Sequence, residues 1–210
     1  MNPIFDYLFS QYSTYETYDI VLEITAVVFS VLSVWFSKQN NIWVYPTGMI
    51  ATAIFVYLLF KWGLLGDMLI NAYYFIMSIY GWYIWTRKVD AEHVTPISKT
   101  TSKENRFAMA IFIAVLIFIA IVYQVFDKWT NWTAYVDAFT TAIFFIGMWL
   151  MAKRKIENWI YWIVGDIISV PLYFYKGLTF SSILHIILTI IAIFGYLSWK
   201  KSLDNNLQTS

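Results

Sequence analysis

The chain has 210 residues, of which 60% are hydrophobic and only 13% charged, with a formal net charge of +1. A water-solvated domain carries about 25% charged residues, so a soluble globule is excluded as the starting assumption, and the near-neutral balance gives nucleic-acid binding no support. The absence of cysteine excludes a disulfide framework and any thiolate metal site, and a mean hydropathy of +0.61 points to the lipid bilayer as the solvent.

The first nineteen residues hold Asp6, Glu16 and Asp19 but no Lys or Arg. They lack the basic region of a cleavable signal peptide, so they are expected to belong to the mature protein. A spanning helix needs about 20 mainly apolar residues. Seven segments meet that length, over residues 20–37, 42–60, 64–85, 107–126, 133–152, 157–175 and 178–199. Lys61-Trp62-Gly63 and Lys176-Gly177 are links short enough to force helical hairpins. Residues 86–106 form the one long connection, polar and holding Pro96, and are expected to be a linker. The fold class is therefore all-α integral membrane, one domain of seven transmembrane helices.

Basic residues orient the spans. With the N-terminus outside, the inward segments hold Lys38; Arg87, Lys88, Lys99, Lys103 and Arg106; Lys153, Arg154 and Lys155; and Lys200 and Lys201. Those are eleven of the fourteen Lys and Arg, leaving Lys61, Lys128 and Lys176 outside. The positive-inside rule then predicts N-out and C-in.

The first three spans resemble the last three. At an offset of 114, Glu23 meets Asp137, Trp35 meets Trp149, Gly63-Leu64 meets Gly177-Leu178, Gly81 meets Gly195 and Trp85 meets Trp199. Between these anchors an offset of 117 pairs Asn41 with Asn158 and Gly48 with Gly165. Four crossings separate spans one and five, so the two triplets share an orientation. The expected plan is 3+1+3, with repeat one at 20–85, a linker and inversion helix at 86–126, and repeat two at 133–199. Parallel repeats are a transporter architecture with a ligand site near the midplane.

The most informative stretch is Arg154 to Asp166 in the sixth span. An ionised Asp near a bilayer centre costs roughly 2.5–3.5 kcal/mol, and Asp166 stands about ten residues, or ~15 Å, inside its helix. At ~100° per residue, Trp159, Trp162 and Asp166 fall within about 60° of arc. Two indoles and a carboxylate on one stripe suit a flat aromatic ligand, particularly a cationic one. Alone, Trp159 could equally be an interfacial anchor. Arg154 and Glu157 read as an i,i+3 pair at a helix start, a scaffold or gate element. Glu23 and Asp137, near the outer helix ends, could cap a backbone, pair with a neighbour, serve as gate or scaffold, or touch the ligand. Asn71 and His185 also match at 114 and could line a shared cavity or bond between helices.

Other classes fit poorly. There is no HExxH and no Gly-x-Ser-x-Gly, and His93 lies in the polar linker, so a hydrolytic enzyme is not expected. Every Lys is at a helix end or in a loop, which argues against a retinal protein. No Walker A loop is present for ATP coupling. A receptor or structural role would leave the Trp-Trp-Asp stripe without a purpose.

Arg154, Glu157, Trp159, Trp162 and Asp166 together resemble the signature of the Pnu-type vitamin transporters, the PnuC family: Arg or Lys, Glu, Trp, Trp, then Asn or Asp, at this spacing. Ile79-Tyr80-Gly81-Trp82-Tyr83-Ile84-Trp85, and the stretch from Pro171-Leu172-Tyr173 to Lys176-Gly177-Leu178, are similar to family elements as well. The resemblance covers about residues 20–200. It implies a SWEET-like fold, a homotrimer, and a bacterial cytoplasmic (inner) membrane location. It also implies uptake of nicotinamide riboside by facilitated diffusion without a cofactor, a cytoplasmic kinase trapping the vitamin as its phosphate ester. Asp166 stands where the nicotinamide riboside branch often has Asn, and a carboxylate offers charge and acceptors only. Thiamine, another cation, is thus the alternative substrate, and proton coupling through Asp166 a further one. In the expected mechanism, Trp159 and Trp162 stack on the ligand ring between two rocking bundles, and Asp166 supplies the countercharge or accepts from the ligand's polar edge. Phosphorylated ligands are rejected for want of a spare buried cation.

Overall fold

The computed structural model describes residues 16–62, 65–87, 95–127, 129, 131–175 and 179–208. They form seven helices: α1 (Thr17–Lys38), α2 (Val44–Lys61), α3 (Leu65–Thr86), α4 (Ser102–Val125), α5 (Trp132–Ala152), α6 (Asn158–Tyr175) and α7 (Thr179–Gln208). The first fifteen residues, His93 and Lys88 of the linker, Lys128, and the links Gly63-Leu64 and Lys176-Gly177-Leu178 lie outside the described residues.

Helix ends follow local chemistry. α4 starts at Ser102, five residues before the predicted 107, because Thr101 and Glu104 form a capping box. The Thr101 hydroxyl accepts from Glu104 N at 3.2 Å and Glu104 Oε2 accepts from Thr101 N at 2.9 Å. α5 is capped by Asn131, whose side chain accepts from Thr133 N at 2.8 Å. α7 runs on to Gln208, past the predicted end at 199, through the polar turn Lys200-Lys201-Ser202.

Five helices, α1, α2, α4, α5 and residues Ser182–Asn205 of α7, are long and apolar enough to cross a membrane by length and composition. The outer faces agree with a lipid solvent. Val21, Ile24, Val28 and Leu32 on α1, Ile113, Ile117 and Ile121 on α4, and Ile183, Ile186, Ile190 and Phe194 on α7 are all exposed. An apolar belt this continuous is not tolerated in water. α3 and α6 are comparable in length, and they bring Asn71, Ser78, Asp166 and Ser169 into the bundle, which lowers their hydropathy.

Sequential neighbours pack as α1–α2–α3 and as α5–α6–α7, and α4 leans on α5. Ala108, Val115 and Ile119 are the buried face of α4. The triplets meet along α1–α7 and α3–α5. Contacts recur at a separation of 114 residues, even where the sequence pairs best at 117. Trp85 Nε1 donates to Met151 O at 3.1 Å, and Trp199 Nε1 donates to Ser37 O at 2.9 Å. Tyr45 meets Trp85 edge-on at 5.1 Å, and Trp159 meets Trp199 edge-on at 5.6 Å. Asn40 and Arg154, both left-handed with φ of 56° and 58°, turn the α1–α2 and α5–α6 corners. Asn tolerates that conformation; Arg there costs roughly 1–2 kcal/mol, which the contacts of its side chain must offset.

Those contacts correct the expected Arg154–Glu157 pair. α6 starts at Asn158, and Arg154 belongs to the corner before it, so the two are not one helical turn apart. Arg154 Nε and Nη2 donate to Asn40 Oδ1 at 3.0 and 2.8 Å, Nη1 donates to Thr95 O, and the guanidinium lies 4.5 Å from the Trp85 ring centre. Burial pulls its pKa below the ordinary value, partly opposed by the nearby Tyr45. Glu157 instead accepts from Thr100 N at 3.0 Å. The second half of the predicted linker is therefore docked: Ser98 pairs with residues 154–156 in a short bridge, and Thr95 donates to Ile84 O at 2.7 Å.

Candidate functional site

A cavity of about 280 Å³ opens between the triplets, close to the lower end of the ligand-pocket range of about 300–1,000 Å³. One wall is α6, where Trp159, Trp162 and Asp166 all face it. The helical period puts these three on one stripe, and the glycines opposite make room for their rings. Gly195 admits the Trp159 ring, where a Cβ would come within 2.5 Å of Cη2, and a Cβ on Gly147 would stand 3.3 Å from Cε2 of Trp162. Trp159 is 1% exposed, which removes the interfacial-anchor reading. Its Nε1 is buried and meets no protein acceptor. Such a donor is unusual enough to call for an explanation, and here it belongs to a cavity wall. Trp162, half-buried, stacks with Phe144 at 5.4 Å and 27°.

The opposite wall comes from α1, α2 and α3: Ser30, Ser33, Val34 and Ser37, then Gly48, Ala51, Thr52 and Phe55, then Asn71, Tyr74 and Ser78. Sequence reasoning missed the serines. Ser30, Ser33 and Ser37 stand at i, i+3 and i+7, a polar stripe on an apolar helix that the period of 3.6 makes legible. Ser33 donates to Val44 O, Thr52 to Gly48 O and Ser78 to Tyr74 O, each at 2.8 Å. With their protons committed to the backbone, these hydroxyls face a ligand as acceptors. Together with Asp166 they set a few acceptors in a mainly apolar lining, suited to a flat ring that carries hydroxyl donors. Among the described residues no Lys, Arg or His lines it.

The remaining predicted residues are placed differently from one another. Asn71 lines the cavity; His185, its partner at 114, does not. His185 stands behind the wall with Nδ1 2.7 Å from Asp166 Oδ1. Asp166 is 2% exposed and so does not act as an unpartnered countercharge. Glu23 and Asp137 lie outside the lining, and each makes its own contacts elsewhere. Arg154 and Glu157 are parts of the corner described above. Among the described residues no group of three or more His, Asp or Glu could hold a metal.

Apolar helices with lipid-compatible outer faces around an internal cavity define a multi-pass membrane protein. The family described as nicotinamide mononucleotide transporter matches residues 20–201. The chain belongs to that family, whose members are transporters. It is similar to the nicotinamide riboside transporter PnuC of Escherichia coli K12, 26% identical over 208 residues that cover 86% of this chain and 85% of that protein. The PnuC of Neisseria mucosa is 24% identical over 198 residues, with 87% and 73% covered. The riboflavin/roseoflavin transporter RibM of Streptomyces davaonensis is 23% identical over 163 residues, with 77% and 76% covered. A crystal structure of the vitamin B3 transporter PnuC shares the fold, with a TM-score of 0.65 and 20% identity over 97% of this chain and 91% of that one.

Proposed function

We propose that the protein carries nicotinamide riboside into the cell by facilitated diffusion. The observation that carries this reading is the wall of Trp159, Trp162 and Asp166 facing a hydroxyl-lined cavity of nucleoside size. Trp162 stacks on the pyridinium, contributing roughly 0.5–2 kcal/mol, and Trp159 forms the floor of the wall beside it. Ser33, Thr52 and Ser78 accept from the ribose hydroxyls. A mononucleotide fits worse. Its phosphate would be desolvated beside Asp166 with no cation in the lining, and an unpaired buried charge costs several kcal/mol. The transported species is therefore the nucleoside, and phosphorylation by a cytoplasmic kinase keeps it inside. Thiamine is the second reading, favoured by Asp166, since an aminopyrimidine can donate to a carboxylate.

The same reading places the chain in the cytoplasmic membrane as one domain, N-out and C-in, on the SWEET-like 3+1+3 plan. The contacts spaced by 114 residues support the repeat, and the inter-triplet pairs α1–α7 and α3–α5 exchange under it. Rocking of one triplet against the other alternates access. The homotrimer is carried over from the family resemblance.

Uptake of labelled nicotinamide riboside into liposomes with no ion or proton gradient tests the proposal. Saturable uptake that runs to equal concentrations on both sides is expected. Strict dependence on an imposed gradient would overturn facilitated diffusion, and no uptake of any vitamin would overturn the transport reading itself.

A further inference from the structure

His185 is held too specifically to be filler. Its Nδ1 lies 2.7 Å from Asp166 Oδ1 across the α6–α7 hairpin. Its ring is nearly parallel to Tyr173, at 5.0 Å and 8°, and to Phe144, at 6.1 Å and 15°. These rings fix the imidazole plane and with it the carboxylate oxygen that is engaged. A separation this short between a ring nitrogen and a carboxylate oxygen requires a proton between them. With the other ring nitrogen unprotonated, the pair carries one negative charge and the second Asp166 oxygen remains an acceptor for the cavity. With both nitrogens protonated, the pair is neutral overall. Among the described residues, the titratable groups facing the pair from neighbouring elements are Tyr173 on α6 and Tyr74 on α3, while α5 presents Phe144. His185 is the ion-pair partner that the structure gives Asp166.

We propose that His185 is a positioning residue that sets the charge selectivity of the cavity, orienting Asp166 toward cationic aromatic ligands and making that preference proton-dependent. This rests on the transport reading above. A cationic ligand binds better to the pair carrying one negative charge than to the neutral pair, so its binding disfavours the second imidazole proton. Affinity for a cation must then fall as the pH drops, while an uncharged ligand of the same shape is little affected.

The test compares nicotinamide riboside with its uncharged dihydro form, titrated calorimetrically against the purified full-length protein from about pH 6 to about pH 8. The expected result is a cation-to-neutral affinity ratio that rises about tenfold or more across that range, since one unit of linked titration is worth tenfold. His185→Asn keeps a donor for Asp166 but cannot take up a proton; it should retain the cation preference and lose its pH dependence. His185→Phe removes the donor and should lose the preference itself. A ratio that stays flat with pH in the natural protein, or a slope unchanged in His185→Asn, overturns the inference and leaves the transport reading standing. If neither ligand binds at any pH while liposome uptake also fails, the transport reading falls and this inference with it.

Discussion

Replacing Gly195 with alanine separates the ligand wall from the scaffold behind it. A Cβ there would stand 2.5 Å from Cη2 of Trp159. Carbon atoms need about 3.5–4.0 Å, so the indole must shift by about 1 Å. Trp199 stands edge-on to it at 5.6 Å, and the ring is 1% exposed, so the open direction is the cavity that Trp159 lines. Overpacking of this kind costs about 1–3 kcal/mol. Moving the wall inward should weaken ligand binding about tenfold or more, equivalent to about 1.4 kcal/mol. Gly81→Ala is the matched control. Gly81 packs against Tyr45, also fully buried, with even less room, but Tyr45 does not line the cavity. Thermal unfolding should show both variants destabilised to a similar extent, and calorimetry should show binding lost mainly in Gly195→Ala. Equal loss of affinity in the two, or full affinity in Gly195→Ala, would refute the reasoning that the Gly195–Trp159 contact sets the ligand wall.

Three further outcomes follow from the same geometry. Asp166→Asn replaces a charge by an amide of nearly the same shape while keeping an oxygen near His185. Competition calorimetry should show preference moving from thiamine toward nicotinamide riboside, and an unchanged ratio would count against Asp166 at the ligand. Arg154→Ala strips Asn40 Oδ1 and Thr95 O of their donor. It should cost about 1–3 kcal/mol in unfolding and speed proteolysis within residues 95–101, because the docked linker loses its anchor. Thr101→Ala removes the capping-box hydroxyl and should cost about 1 kcal/mol with transport kinetics unchanged, since α4 contributes nothing to the cavity.

Much of the architecture is legible because lipid leaves few options: apolar length fixes the helices, and the period of 3.6 puts Trp159, Trp162 and Asp166 on one stripe. The errors have local causes. Arg154 and Glu157 sit three apart, but a left-handed residue ends the helical count at the corner, so spacing pairs two residues that bond elsewhere. Asn40 at the 114 offset from Arg154 was available in the sequence and was the better partner to consider. Thr101-Ser102-Lys103-Glu104 is a capping signature overlooked because hydropathy alone located the α4 start. Ser30, Ser33 and Ser37 were passed over because serine in an apolar helix usually bonds its own backbone; Ser33 donates to a carbonyl of the next helix instead. For His185 the sequence allows an interhelical bond but does not name its partner. The bond depends on a hairpin that brings residues nineteen apart in sequence to within 2.7 Å, and no periodicity encodes that contact.

The central claim is that the Trp159–Trp162–Asp166 wall receives an unphosphorylated vitamin, and one titration tests it most directly. Purified protein and Trp162→Ala are each titrated with nicotinamide riboside and with nicotinamide mononucleotide. The account predicts saturable binding of the riboside at one site per chain, most of it lost in Trp162→Ala, and no comparable binding of the mononucleotide. Mononucleotide binding as tight as the riboside, or riboside binding untouched in Trp162→Ala, would contradict it.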